Sequence, residues 1–129
     1  MKFLIIDDEK NLLKLLSLNL QKEGREIICA ETAAEGIRLY QESVFDVVLC
    51  DIGLPDLDGI QVLQRLKETR SNCPVIMITA HGSVETALRA MKIGAYDYIQ
   101  KPFEAEEIEI VIERALREHQ LTEDYQRLR

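Results

Sequence analysis

Apolar positions along the chain alternate between two periods. Five short runs rich in branched residues, Phe3–Ile6, Glu26–Ala30, Asp46–Cys50, Val75–Thr79 and Tyr96–Ile99, read as strands. Between them the spacing turns helical. Leu12, Leu13, Leu16 and Leu20 form one stripe, Ile37 with Tyr40 a second, Ile60 with Leu63 and Leu66 a third, and Val84 with Leu88 and Met91 a fourth. Ile108, Val111, Ile112, Ala115 and Leu116 form the last, on a helix opened by Glu104. Punctuation supports this division: Gly24 is expected to end the first helix, Pro55 and Gly59 to bracket a loop, and Pro74 to open a strand, with Ser83 and Gly94 at the ends of the fourth helix. Strands alternating with helices of this length build βαβ units. The expected fold class is therefore α/β, a doubly wound five-stranded parallel sheet with helices on both faces.

Composition narrows the class further. A chain of 129 residues, 47% hydrophobic, suits one compact domain with a proper core. No stretch approaches the roughly 18 uninterrupted apolar residues of a membrane span, and the start resembles no signal peptide, so a cytoplasmic protein is expected. Sixteen basic against 23 acidic residues give a net charge of −7, the wrong sign for direct contact with nucleic acid. Cys29, Cys50 and Cys73 are odd in number and form no C-x-x-C pair, which predicts reduced thiols rather than disulfides or zinc.

Open parallel sheets place their sites beyond the carboxyl ends of the strands, so those ends carry the chemistry. The first strand runs into Asp7-Asp8-Glu9, the third into Asp51 and the fourth ends in Thr79, while Lys101-Pro102 follows the fifth. If the first and third strands are neighbours, as in the flavodoxin-like order 2-1-3-4-5, then Asp7, Asp8 and Asp51 converge. Such a cluster repels itself unless a cation sits in it, and hard oxygen ligands suit Mg²⁺ or a similar ion such as Mn²⁺. Taken singly, each residue has a plainer reading: Asp8 or Glu9 as a helix cap, Thr79 as a β-branched strand residue, Tyr98 as an edge aromatic, Lys101 as a surface lysine. Their joint arrival at strand ends favours the site.

Asp7-Asp8-Glu9, then Asp51-Ile52-Gly53-Leu54-Pro55-Asp56-Leu57-Asp58-Gly59, Thr79-Ala80 and Lys101-Pro102-Phe103 resemble, in order and spacing, the receiver domains of response regulators. The resemblance runs from Lys2 to about Leu116, and the stretch from Ile78 to Phe103 is most similar to receivers of NtrC-type transcriptional activators. It implies that Asp51 accepts a phosphoryl group from a phosphohistidine on a sensor histidine kinase. By the same resemblance Mg²⁺ is held by Asp8, Asp51 and the backbone carbonyl of Gly53, with Asp7 acting through water. Lys101 neutralises a phosphoryl oxygen, and its bond to Pro102 is expected to be cis. Thr79 and Tyr98 form the switch, and the signal leaves through the fourth helix, fifth strand and fifth helix, where a homodimer is expected. The implied protein is no enzyme, although it promotes its own phosphorylation and dephosphorylation. His81 is either an influence on phosphoryl loss at the site's rim or a solvated loop residue; His119 is assigned to the surface.

The receiver is expected to span 1–117, with 118–129 extending the last helix. Leu121, Tyr125 and Leu128 continue at four-three spacing, and no Gly, Asn or Pro stops the helix before Arg129. A continuation into an ATPase and DNA-binding output follows as the expectation, so any DNA contact belongs to that part. Rival functions fare worse. A flavin-binding protein needs a Gly-, Ser- and Thr-rich phosphate loop after the first strand, and a P-loop hydrolase needs G-x-x-x-x-G-K-[ST]. A haloacid-dehalogenase-type phosphatase needs a second acid where Gly53 stands, and a pseudo-receiver used only for protein interaction would be marked by loss of Asp51, Asp8 or Lys101.

Overall fold

The computed structural model describes residues 1–80 and 84–127, with side chains as far as Gln120. Strands β1 (Lys2–Ile6), β2 (Glu26–Ala30), β3 (Val47–Asp51), β4 (Val75–Thr79) and β5 (Asp97–Gln100) alternate with helices α1 (Lys10–Leu20), α2 (Ala33–Glu42), α3 (Gly59–Thr69), α4 (Val84–Ile93) and α5 (Ala105–Arg127). The five strands form one sheet in the order β2-β1-β3-β4-β5, and every neighbouring pair is parallel. This is the expected doubly wound architecture.

Alternation along each strand feeds two cores. In β1, Leu4 and Ile6 face a layer with Val62, Leu63 and Leu66 of α3 and Tyr40 of α2, where Tyr40 stacks on Phe45 at 6.2 Å. Phe3 and Ile5 face the opposite layer with Leu13, Leu16 and Leu20 of α1 and Ile108 and Ile112 of α5. Fully buried Leu and Ile side chains of this kind each contribute roughly 1.5–3 kcal/mol relative to exposure, so the sheet is a stiff platform for whatever its edges carry. Cys50 and Cys73 are buried and Cys29 is half-buried; all three are free thiols.

Strand β1 begins one residue earlier than expected, at Lys2, and β5 is displaced by one residue, to Asp97–Gln100; three further expectations shift. Strand β3 begins at Val47 rather than Asp46, because the Asp46 carboxylate accepts from the Lys2 amide at 2.8 Å and so occupies the place of a ladder bond. Helix α1 stops at Leu20, not at Gly24: the Arg25 guanidinium donates to the Leu20 carbonyl at 3.0 Å, and Gly24, at φ +83, turns the chain into β2. His119 is not a surface residue but half-buried, lining a groove with Tyr96, Lys67 and Ala115, because α5 keeps one face on the sheet beyond Ala115. His81, Ser83, Leu128 and the side chains of Leu121 and Tyr125 lie outside the described residues.

Candidate functional site

Strands β1 and β3 are neighbours, and their following helices lie on opposite faces, which opens a crevice at their carboxyl ends. Asp7 continues the β1 ladder by donating its amide to the Ala30 carbonyl at 3.1 Å, and its side chain is fully buried. Its Oδ1 accepts from the Glu9 amide at 2.9 Å, whereas Oδ2 has no hydrogen-bond partner. Asp51 closes β3, paired in register with Ile78 and only 6% exposed. Asp8 is exposed at the mouth. Carboxylate oxygens of Asp7, Asp8 and Asp51 all lie within 4.8 Å of one another.

Lys101 enters from the far side. Its Nζ stands 3.3 Å from Glu9 Oε1, 3.4 Å from Asp7 Oδ2 and 3.6 Å from Asp51 Oδ1. Its amide donates to the Thr79 carbonyl at 2.8 Å, which ties the end of β4 to the lysine, and the bond to Pro102 is cis. Thr79 itself is buried and pairs in register with Gln100, so Tyr98, opposite Met77, lies two residues back on the same sheet face. Tyr98 is half-buried against the α2–α3 side core. Gly53 is exposed next to Asp51, where an added Cβ would lie 3.9 Å from Asp51 Oδ2.

Electrostatics follow from four acids around one cation. Burial raises the Asp7 pKa above its ordinary 3.8, and the Asp51 charge adds to it, although the Glu9 amide and Lys101 pull it back. Asp51 is raised likewise, first by burial and then by Asp8, against the pull of Lys101 and the Gly53 amide. For Lys101, burial favours the neutral amine, but the charges of Asp51 and Asp7 outweigh it and raise the pKa. A buried carboxylate oxygen that makes no hydrogen bond and shares its one nearby ammonium, Lys101, with Glu9 and Asp51, beside two further carboxylates and open to solvent through Asp8, fits a hard divalent cation.

Every strand-end residue singled out in the sequence is thus found at this crevice or on its flank. Three contributions were missed. The Glu9 side chain holds Lys101. Asp58 caps α3 by accepting from the Ile60 amide at 3.0 Å, a local signal that an Asp before the helix start could have given. Asp56 accepts from the Ala33 and Ala34 amides of α2, a contact between segments more than 20 residues apart that no local pattern contains. Gly59 also has a tertiary reason: an added Cβ would come within 2.4 Å of Ile52 Cα, pushing α3 off the end of β3. Beside Lys101 and Glu9, the side chains of Leu12, Leu15, Pro102 and Phe103 line an apolar cleft.

Comparison with known proteins agrees with this geometry. A family profile described as response regulator receiver domain matches residues 3–113. Regulatory protein AtoC of Escherichia coli K12 is 39% identical over 115 residues, covering 89% of this chain and 25% of that protein. The chain spans about a quarter to a half of the length of the curated relatives it matches. Among solved structures, NtrX from Brucella abortus superposes with a TM-score of 0.93 at 36% identity, covering 99% of this chain and 29% of that one. The beryllofluoride-activated NtrC4 receiver domain dimer gives 0.86 at 37% identity, over 92% of this chain and 98% of that one.

Proposed function

Because the chain belongs to the response regulator receiver domain family, with NtrC-type regulators among its relatives, we propose that Asp51 is the phosphoacceptor of a two-component relay. The observation that carries this reading is a buried carboxylate at a strand end, facing an ammonium at 3.6 Å and a cluster of acids. The Asp51 oxygen attacks the phosphorus of a phosphohistidine on a sensor kinase; the P–O bond forms as the P–N bond breaks, and the imidazole leaves. The transition state of such transfers is loose, so the protein's work is alignment and neutralisation of charge. Its place at the end of β3 fixes the nucleophile, and Lys101 supplies a positive point charge for a phosphoryl oxygen.

Asp8, Asp51 and the Gly53 carbonyl would hold Mg²⁺, or Mn²⁺ in its place, with Asp7 acting through water. When bound, the cation offsets the negative charge that gathers on the phosphoryl oxygens. Thr79 turns its hydroxyl to the phosphoryl group, and Tyr98 moves into the space released. The phosphoryl group adds nearly two negative charges and strong acceptors, enough to bias a two-state element. That element is the face of α4, β5 and α5. Val84, Leu88 and Ile110 are at least half exposed there, an apolar surface suited to a second copy of the chain. The beryllofluoride-activated NtrC4 receiver is a dimer, which supports the same use here. The receiver occupies 1–117, and 118–129 begins a connection to an output domain that controls transcription and makes any DNA contact. The protein works in the cytoplasm.

Incubation with acetyl phosphate and Mg²⁺, followed by intact-mass measurement, tests the assignment. Wild type is expected to gain one phosphoryl group and Asp51→Asn none. Equal labelling of the two, or none of either, would overturn it; labelling of neither would point to a protein-interaction module instead.

A further inference from the structure

Residues 52–58 carry the chain from Asp51 to α3 and include Gly53. Backbone bonds fix both ends: the Ile52 amide donates to the Ile78 carbonyl at 2.9 Å, and the Gly59 amide donates to the Ile52 carbonyl at 3.0 Å. Between these anchors Leu54 is buried, while Gly53, Pro55 and Asp56 are exposed. Asp58 caps the adjoining α3, but among the described residues Asp56 alone ties this loop by side-chain hydrogen bonds to an element remote in sequence. Its Oδ1 accepts from the Ala33 amide at 3.0 Å and its Oδ2 from the Ala34 amide at 3.1 Å. Those are the first two residues of α2, whose own cap, Thr32, reaches only the Glu35 amide at 3.1 Å. The carboxylate therefore supplies what the local cap leaves open, at the positive end of the helix. These amides hold the Asp56 carboxyl below its ordinary pKa. Helix α2 starts three residues after β2, which is hydrogen-bonded to β1, so the loop is pinned to the strand pair that presents Asp7.

We propose that Asp56 is a positioning residue for the Asp51 site: by gripping the start of α2 it fixes the course of the loop, and with it the Gly53 carbonyl that would face the cation. This rests on the reading of Asp51, Asp8 and Gly53 as the Mg²⁺ site. Residues that orient a ligand without touching the metal commonly matter to its affinity.

Mg²⁺ titration of the whole chain, followed by amide NMR shifts at Asp51 and Gly53, tests the idea on wild type, Asp56→Ala, Asp56→Asn and Thr32→Ala. Asp56→Ala is expected to weaken Mg²⁺ binding about tenfold. Asp56→Asn keeps one acceptor oxygen and should fall between it and wild type, which decides the matter even if the alanine variant folds poorly. Thr32→Ala removes a cap from the same helix without touching the loop, and should bind Mg²⁺ as wild type does. Wild-type affinity in both Asp56 variants, or equal weakening by Thr32→Ala, overturns the proposal while leaving the metal site intact. A wild-type protein that binds no Mg²⁺ overturns the site reading and this inference with it.

Discussion

The two edges of the sheet treat charge in opposite ways. Near the amino ends of the strands, cations meet partners. Arg25 forms a two-pronged pair with Glu109 at 2.8 and 2.7 Å, donates to the last carbonyl of α1 and lies 4.9 Å from the Phe3 ring centre. Arg70 donates to the Tyr40 and Ser43 carbonyls at the end of α2, and Lys67 donates to the Ser71 and Cys73 carbonyls just past α3. At the carboxyl ends the charges are acids, and they crowd: Asp7, Asp51 and Glu9 share Lys101, and Asp8 stands beside Asp7 and Asp51. Both arrangements obey the helix dipole, since helices returning between parallel strands put their amino termini beside the strands' carboxyl ends. The difference lies in surplus. Structural charge is matched where it stands, whereas the site holds more negative charge than its own lysine can answer, and so suits a further cation.

The largest effect should come from breaking the matched edge. Arg25→Ala leaves a half-buried Glu109 with only the exposed Lys22 as its cation and removes three hydrogen bonds, and is expected to cost about 2–3 kcal/mol. Urea unfolding in EDTA would measure it; a loss of only a few tenths would mean that the pair is no more than a surface contact. At the surplus edge the sign reverses. Asp51→Asn takes a repelled carboxylate out of the cluster and should raise the stability of the metal-free protein by about 1 kcal/mol. On the proposed reading Mg²⁺ binds the folded wild type alone, and its addition should close or invert that gap. Lower stability for Asp51→Asn in EDTA would show that Lys101 already balances the cluster.

A pH series separates the edges again. Asp7 and Asp51 have folded pKa values raised above the ordinary 3.8, so their contribution is full below that value and lost as pH rises through the folded pKa. Glu109 is lowered from 4.5 by Arg25, so its contribution is present above that value and lost as pH falls through the folded pKa. Unfolding in EDTA from pH 3 upward should show the first trend weakened in Asp51→Asn and the second weakened in Arg25→Ala, where only Lys22 still acts on Glu109.

The sequence disclosed one edge better than the other, for a physical reason. Acids, a hydroxyl and a lysine at strand ends need only the strand pattern and the rule that sites open at carboxyl ends, so Asp7, Asp51, Thr79 and Lys101 were legible. The matched edge depends on reach across the fold. Arg25 and Glu109 are 84 residues apart and Arg70 and Tyr40 are 30 apart, and neither pairing leaves a periodic trace. The same holds for Asp56 on α2. Local signals also misled where a long side chain intervened: Gly24 looks like a helix stop, but Arg25 closes α1 at Leu20. His119 looked like surface because the polar run after Leu116 hides that α5 keeps its heading.

The finest test lies within the matched edge itself. Lys22 reaches Glu109 at 3.4 Å and Glu113 at 3.3 Å, but its side chain is 49% exposed, against 9% for Arg25. If burial rather than the number of ion pairs sets the worth of this edge, Lys22→Ala should cost no more than about 0.5 kcal/mol, and that small effect should fade in high salt. Arg25 keeps Glu109 satisfied in the variant, so no buried charge is left alone. Urea unfolding in low and high salt would show the contrast, and a loss approaching that of Arg25→Ala would mean that the three charges act as one network.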